Sequence, residues 1–170
     1  MVMQEYEDRR MRLASMPDAY ANELGLSDEQ RERDLHGKVL IKGSEAPFEN
    51  FRQGHLSWYM GGNASVTALQ NRAFFRHDVR QQSGRHTHQG GLVIFVMAGK
   101  GHSTVNGQSV PWKKYDAILL PIIPELCEHQ HFNDDVGNPA VWCAFIYEGL
   151  SHEYGNDVRQ NQDSPDFSKL

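Results

Sequence analysis

The chain has 170 residues, 39% of them hydrophobic, with a formal net charge of -5 and two cysteines. That length supplies one domain with a sizeable core, and the mildly acidic balance without a long basic run lacks the electrostatic footprint of a nucleic-acid binder. No apolar run approaches the roughly 20 residues of a membrane-spanning helix, the N-terminus lacks the apolar centre of a secretory signal, and Cys127 and Cys143 show no CxxC spacing; the expectation is a soluble, cytoplasmic protein with free thiols and neither a membrane nor a nucleic-acid partner.

Residues 1–37 read as a helical arm, rich in Glu, Asp and Arg with scattered apolar positions. Gly25 predicts a break, and Ser27-Asp28-Glu29-Gln30 has the pattern of a capping box, so two short helices are expected. From residue 38 the helical period gives way to β-rich runs punctuated by Gly, Asn, Asp and Pro. Strands are expected over 38–42, 55–60, 65–77, 91–98, 102–105, 108–110, 117–121 and 141–147, a spacing that suits an all-β sandwich or barrel occupying 38–150. Asn106-Gly107 tolerates positive φ at both positions and predicts a two-residue hairpin loop. From residue 151 the composition turns polar, and 151–170 reads as a peripheral tail.

The chemistry concentrates in His86-Thr87-His88 and in His129-Gln130-His131-Phe132-Asn133. Two histidines one residue apart on an extended segment share a face of the sheet, because strand side chains alternate with period two. They form a chelating pair, and a later strand returning alongside lets His129 supply a third imidazole, a ligand type suited to iron, nickel, copper or zinc. His131 has the parity of His129, which makes it a candidate acid/base, a substitute ligand or a residue lining the barrel mouth. A lone histidine is more often a surface or satisfied core residue than a ligand, and that reading applies to His36, His55, His102 and His152.

At these residues the sequence resembles the cupin superfamily, in particular its small single-domain members. The first cupin motif corresponds to Gly84-Arg85-His86-Thr87-His88 followed by Gly90 to Gly99, with Leu92 where a cupin usually carries a metal-binding glutamate. The second corresponds to Asp116 through Pro121 and on to His129 and Asn133, with a longer link before His129 and no glycine in it. The resemblance covers roughly residues 65–148. It implies a double-stranded β-helix, or jelly-roll barrel, with His86, His88 and His129 on one metal. Parity places Leu92 on the same inward face, so the ligand set is three neutral imidazoles.

Cupins with that set include gentisate-type, cysteine and β-diketone dioxygenases. The expected function is therefore an Fe(II) dioxygenase that cleaves a carbon–carbon bond of a small hydroxylated aromatic or enolisable substrate with O2. Zn(II), Ni(II) and Mn(II) are the alternative metals, with a Lewis-acid lyase, isomerase or hydrolase as the rival enzyme. A non-catalytic small-molecule binder or accessory subunit is the third reading, since fold does not fix function. Leu92, Arg76, Trp142 and Tyr147 are candidate pocket residues, and Arg76, Arg80 and Arg85 are the nearest cations able to hold a carboxylate. Helical arms often cross between subunits in cupins, so the resemblance also implies a homodimer.

Overall fold

The computed structural model describes residues 18–61, 67–69, 72–135, 137–149 and 158–167. These fall into two compact units, the first running to Val39 and including Thr67–Leu69, the second holding the remainder.

Among the described residues of the first unit one helix, α1 (Ala19–His36), runs without the break expected at Gly25, and residues 1–17 of the expected arm lie outside the described residues. Asp18 is its N-cap and accepts the N–H of Tyr20, while the Gly37 N–H closes the C-terminus on the Arg33 carbonyl at 2.7 Å. The helix passes through Gly25 and Ser27 because an interior glycine costs only about 1 kcal/mol relative to alanine, too little to stop a helix capped firmly at both ends. The strand expected over 38–42 reduces to an isolated parallel bridge between Lys38 and Thr67.

The second unit is all-β. Its strands are β1 (Phe48–Phe51), β2 (Gly54–Met60), β3 (Arg72–Val79), β4 (Arg85–His88), β5 (Leu92–Ala98), β6 (Lys100–Val105), β7 (Gln108–Lys113), β8 (Ala117–Leu120), β9 (Cys127–Asn133), β10 (Ala140–Tyr147) and β11 (Arg159–Gln162). They form a six-stranded sheet in the order β1-β2-β3-β10-β5-β8 and a five-stranded sheet in the order β11-β4-β9-β6-β7, with every pairing antiparallel. This is the jelly-roll barrel the resemblance implies.

Alternation builds the core. On β5, Leu92, Ile94 and Val96 are buried while Val93, Phe95 and Met97 face outward; β3 and β10 bury Phe75, Val79, Trp142 and Ala144 in the same way. Each large side chain moved from water into this core stabilises the fold by roughly 2 kcal/mol. The Asn106-Gly107 turn has φ of 47° and 78°, as the hairpin requires, and Asn106 exchanges hydrogen bonds with the Glu128 backbone that fix the turn to β9. β7 runs on through Pro111, which is tolerated because β7 is an edge strand.

The polar tail contributes β11, which adds to the edge of β4 through Arg159↔Thr87 and Gln160↔His86. The long link before β9 packs on the Gly90-Gly91 pair, where a side chain at Gly90 would collide with the Pro121 carbonyl. Residues 65, 66, 70 and 71 of the run expected over 65–77, and His152, lie outside the described residues.

Candidate metal centre

β4 and β9 pair so that His86 stands directly opposite His129, with His88 opposite Cys127. All three histidines are buried, at 8%, 9% and 1% exposure for His86, His88 and His129, and one ring nitrogen from each lies within 4.8 Å of the others. Three imidazoles this close and on one face fit a single metal ion. Among the described residues no carboxylate joins the cluster.

The ring orientations are set by the backbone. His86 donates Nδ1–H to the Gly84 carbonyl and His129 donates Nδ1–H to the Cys127 carbonyl, each at 3.1 Å. Both therefore keep Nε2 as a lone-pair donor, which is the tautomer a metal needs. His88 is turned the other way, its Nδ1 accepting the Gly90 N–H at 3.0 Å. Ligation through Nε2 would require that hydrogen bond to be given up. Burial holds all three rings neutral: it lowers His86, takes His88 to about 4 with a further push from His86, and depresses His129 well below the ordinary range. Neutral imidazole is the form that binds a metal without first releasing a proton.

His131 is fixed by a different device. Ser103, completely buried, accepts the Trp112 indole N–H at 2.9 Å and lies 2.7 Å from His131 Nδ1. With that N–H already accepted, the serine hydroxyl satisfies its own proton by donating to Nδ1. His131 is thereby the Nε2–H tautomer, a donor on a ring that lines the cavity beside the three histidines. It stands outside the metal cluster.

The cavity has a volume of about 140 Å³, the size of one small ring. Leu92, Trp142 and Ile146 line it together with Trp58, Phe75 and His77 on the six-stranded sheet. Two expected pocket residues are elsewhere. Arg76 alternates with Phe75 and His77 and therefore faces outward, where Asp78 holds it at 2.7 and 2.8 Å and Phe48 lies beneath its guanidinium. Tyr147 has the opposite parity to Trp142 on β10, is 49% exposed and takes Arg72 over its ring. Arg80 and Arg85 are exposed. Among the described residues no lysine or arginine lines the cavity, and Glu148 is the charged residue that does.

His77 was not singled out from the sequence. It is 2% exposed, packs edge-on to Trp142 at 4.6 Å and is held neutral, its pKa lowered to about 3 by burial and then by His86 and His55. Its signal lay in position: one polar residue on a buried face whose other members, Ala73, Phe75 and Val79, are apolar.

A two-sheet antiparallel barrel with a three-histidine cluster on its inner face defines a cupin-fold protein with a candidate mononuclear metal site. No protein-family model matches the chain, and no curated protein matches it in sequence. Solved structures do. A variant of PAC13 of Streptomyces, in complex with uridine, is 15% identical with a TM-score of 0.53, over 76% of this chain and 95% of that one; PAC13 is described as a nucleoside dehydratase. A cupin-like protein of Thermotoga maritima is 17% identical with a TM-score of 0.50, over 74% and 90% of the two chains. A variant of salicylate 1,2-dioxygenase from Pseudoaminobacter salicylatoxidans is 16% identical with a TM-score of 0.55, over 99% of this chain but 52% of that one, so the chain spans about half the dioxygenase's length. At such identities the likeness shows the fold.

Proposed function

We propose that the protein is a mononuclear Fe(II) dioxygenase that cleaves a carbon–carbon bond of a small hydroxylated aromatic or enolisable substrate. The observation that carries this reading is the all-neutral donor set, with Leu92 on the inner face where a carboxylate would otherwise reduce the positive charge of the site. Held by His86, His88 and His129, Fe(II) would supply the open positions at which a bidentate oxyanion and O2 can react, the electrons coming from the substrate. The protein's own residues do the rest. Leu92, Phe75 and Ile146 exclude water from one side, and His131, as an Nε2–H donor, presents a hydrogen bond to an oxygen of the bound substrate.

A second reading, a Zn(II) or Ni(II) lyase, is favoured by the likeness to a nucleoside dehydratase and by the same His131 N–H, which can donate a hydrogen bond to a departing hydroxyl. The two separate in one experiment. Metal is quantified in the purified protein, and the Fe(II) form is mixed without air with ortho-hydroxybenzoates, catechols and β-dicarbonyls, then oxygenated. The dioxygenase reading expects a charge-transfer band with one class and consumption of about one O2 per substrate. Zinc as resident metal, with no band and no oxygen uptake across the panel, overturns it in favour of the lyase.

The protein is further proposed to be a cytoplasmic homodimer with O2 and a small molecule as its other partners. Support for the dimer is the outer face of the six-stranded sheet, where Val93, Phe95, Met97 and Phe145 are 38–47% exposed around a groove of about 700 Å³. Sedimentation of the metal-loaded protein tests it.

A further inference from the structure

The wall of the cavity facing the histidines carries two indoles whose N–H groups have no partner. Trp58 Nε1 on β2 and Trp142 Nε1 on β10 are both buried and unsatisfied among the described residues. The strands flank β3, and the two indoles sit on either side of Phe75, at ring distances of 4.6 and 6.1 Å. Both rings line the same cavity as His86, His88 and His129. A buried indole N–H normally finds an acceptor, because leaving one unmade is costly, and the described residues offer neither of these two any. The third unpartnered nitrogen among the described residues, His77 Nε2, is packed against the Gly54 backbone.

Donors alone do not identify an acceptor, but the charges around them narrow it. Among the described residues an anionic group at this wall would meet no lysine or arginine, and the charged side chain that lines the cavity is the carboxylate-bearing Glu148. A remote carboxylate would thus be desolvated without a counter-ion and beside a like charge, whereas an uncharged carbonyl, ether or hydroxyl oxygen needs only the N–H groups.

We propose that Trp58 and Trp142 are specificity-determining residues that select a ligand bearing an uncharged oxygen acceptor at the end remote from its chelating pair. The proposal rests on the three histidines holding the metal that the chelating end would grip. It places substrates with a single anionic chelating end and a neutral oxygenated far end within the site's range, and dianions carrying a second, distal carboxylate outside it.

The test uses the full chain loaded with Zn(II), so that binding is read by calorimetry without oxygen chemistry. Three salicylates differ only at the 5-position: methoxy, its apolar isostere ethyl, and carboxylate. The methoxy compound is expected to bind about tenfold more tightly than the ethyl compound, the effect of one or two hydrogen bonds of ordinary net strength, and the carboxylate compound more weakly than either. In Trp142→Phe and Trp58→Phe the methoxy-to-ethyl ratio should fall towards one while ethyl affinity is unchanged, a split that mere loosening of the wall would not give. Equal binding of the methoxy and ethyl compounds to the natural protein overturns the proposal alone. So does a variant that weakens both alike. Failure of all three to bind overturns the chelating geometry and the proposal with it.

Discussion

The two walls of the cavity are built on opposite plans. On the five-stranded side each ring is held by a hydrogen bond: His86 donates to Gly84 and His129 to Cys127, His88 accepts from Gly90, and His131 pairs with Ser103, which itself accepts from Trp112. On the six-stranded side Trp142 packs edge-on against Phe75 and His77 while Trp58 lies tilted on Phe75, and among the described residues three ring nitrogens there have no partner. Tying a ring from behind fixes which nitrogen it offers and where, the requirement for a ligand to an ion that stays. A packed aromatic wall fixes shape and leaves its polar atoms to whatever enters, which suits a molecule that comes and goes.

The largest effect that would break this contrast is on metal affinity. Loss of a group that merely orients a ligand typically costs 10–100-fold, so removal of a ligand itself, as in His129→Ala, is expected to cost more than about a hundredfold. The same is expected of His86→Ala. His77→Phe, on the other wall, should leave metal affinity within about twofold. Elemental analysis after dialysis against a weak chelator, with circular dichroism to confirm the barrel, measures all three; full occupancy in His129→Ala would show that the metal sits elsewhere.

An intermediate effect concerns acid. His77 has its folded pKa lowered to about 3 and His88 to about 4, both first by burial. Since the ordinary value is about 6.5, between that and the folded value the unfolded chain holds a proton that the folded chain refuses. Stability is therefore complete above about pH 6.5 and is lost as pH falls below it, by up to about 1.4 kcal/mol per pH unit for each such histidine. Urea midpoints of the metal-free protein should fall steadily from pH 6.5 towards 4. His77→Phe should make that limb shallower by one proton's worth, and an unchanged slope would mean that His77 is accessible to water in the fold.

The contrast between the walls was only half legible in the sequence. The tied wall shows itself through spacing: His86 and His88 share a face by strand parity, and the paired motifs bring His129 beside them. The aromatic wall has no such signature. Aromatic residues are common in any β core, so although Trp142 was a candidate pocket residue, Trp58 did not stand apart from Tyr59, Phe95 or Tyr115, which lie outside the cavity. Tyr147 was excludable, because it lies an odd number of positions, five, beyond Trp142 and the two cannot share a face of one strand. Arg76 was not, since Arg76-His77-Asp78 is polar on both faces and a one-residue shift of parity exchanges them. β11 was illegible for another reason: Arg159–Gln162 joins β4 through backbone hydrogen bonds, which leave no hydrophobic pattern.

The smallest expected effect sharpens the contrast by its absence. Arg76 is the cation nearest in sequence to the aromatic wall, and a guanidinium reaching the cavity would reverse the selectivity for uncharged ligands argued above. Its geometry opposes that. Both oxygens of Asp78 engage it, and Phe48 lies 5.0 Å from its guanidinium carbon. Its neighbours Phe75 and His77 point inward while it points out. Arg76→Gln should therefore cost stability only on the scale of a partly exposed ion pair, about 0.5–1 kcal/mol. The affinity of the zinc-loaded protein for 5-carboxysalicylate should stay within about twofold. A fall of tenfold or more for that carboxylate ligand, with the methoxy compound unaffected, would show that Arg76 reaches the ligand and that the six-stranded wall is not the uncharged surface its packing describes.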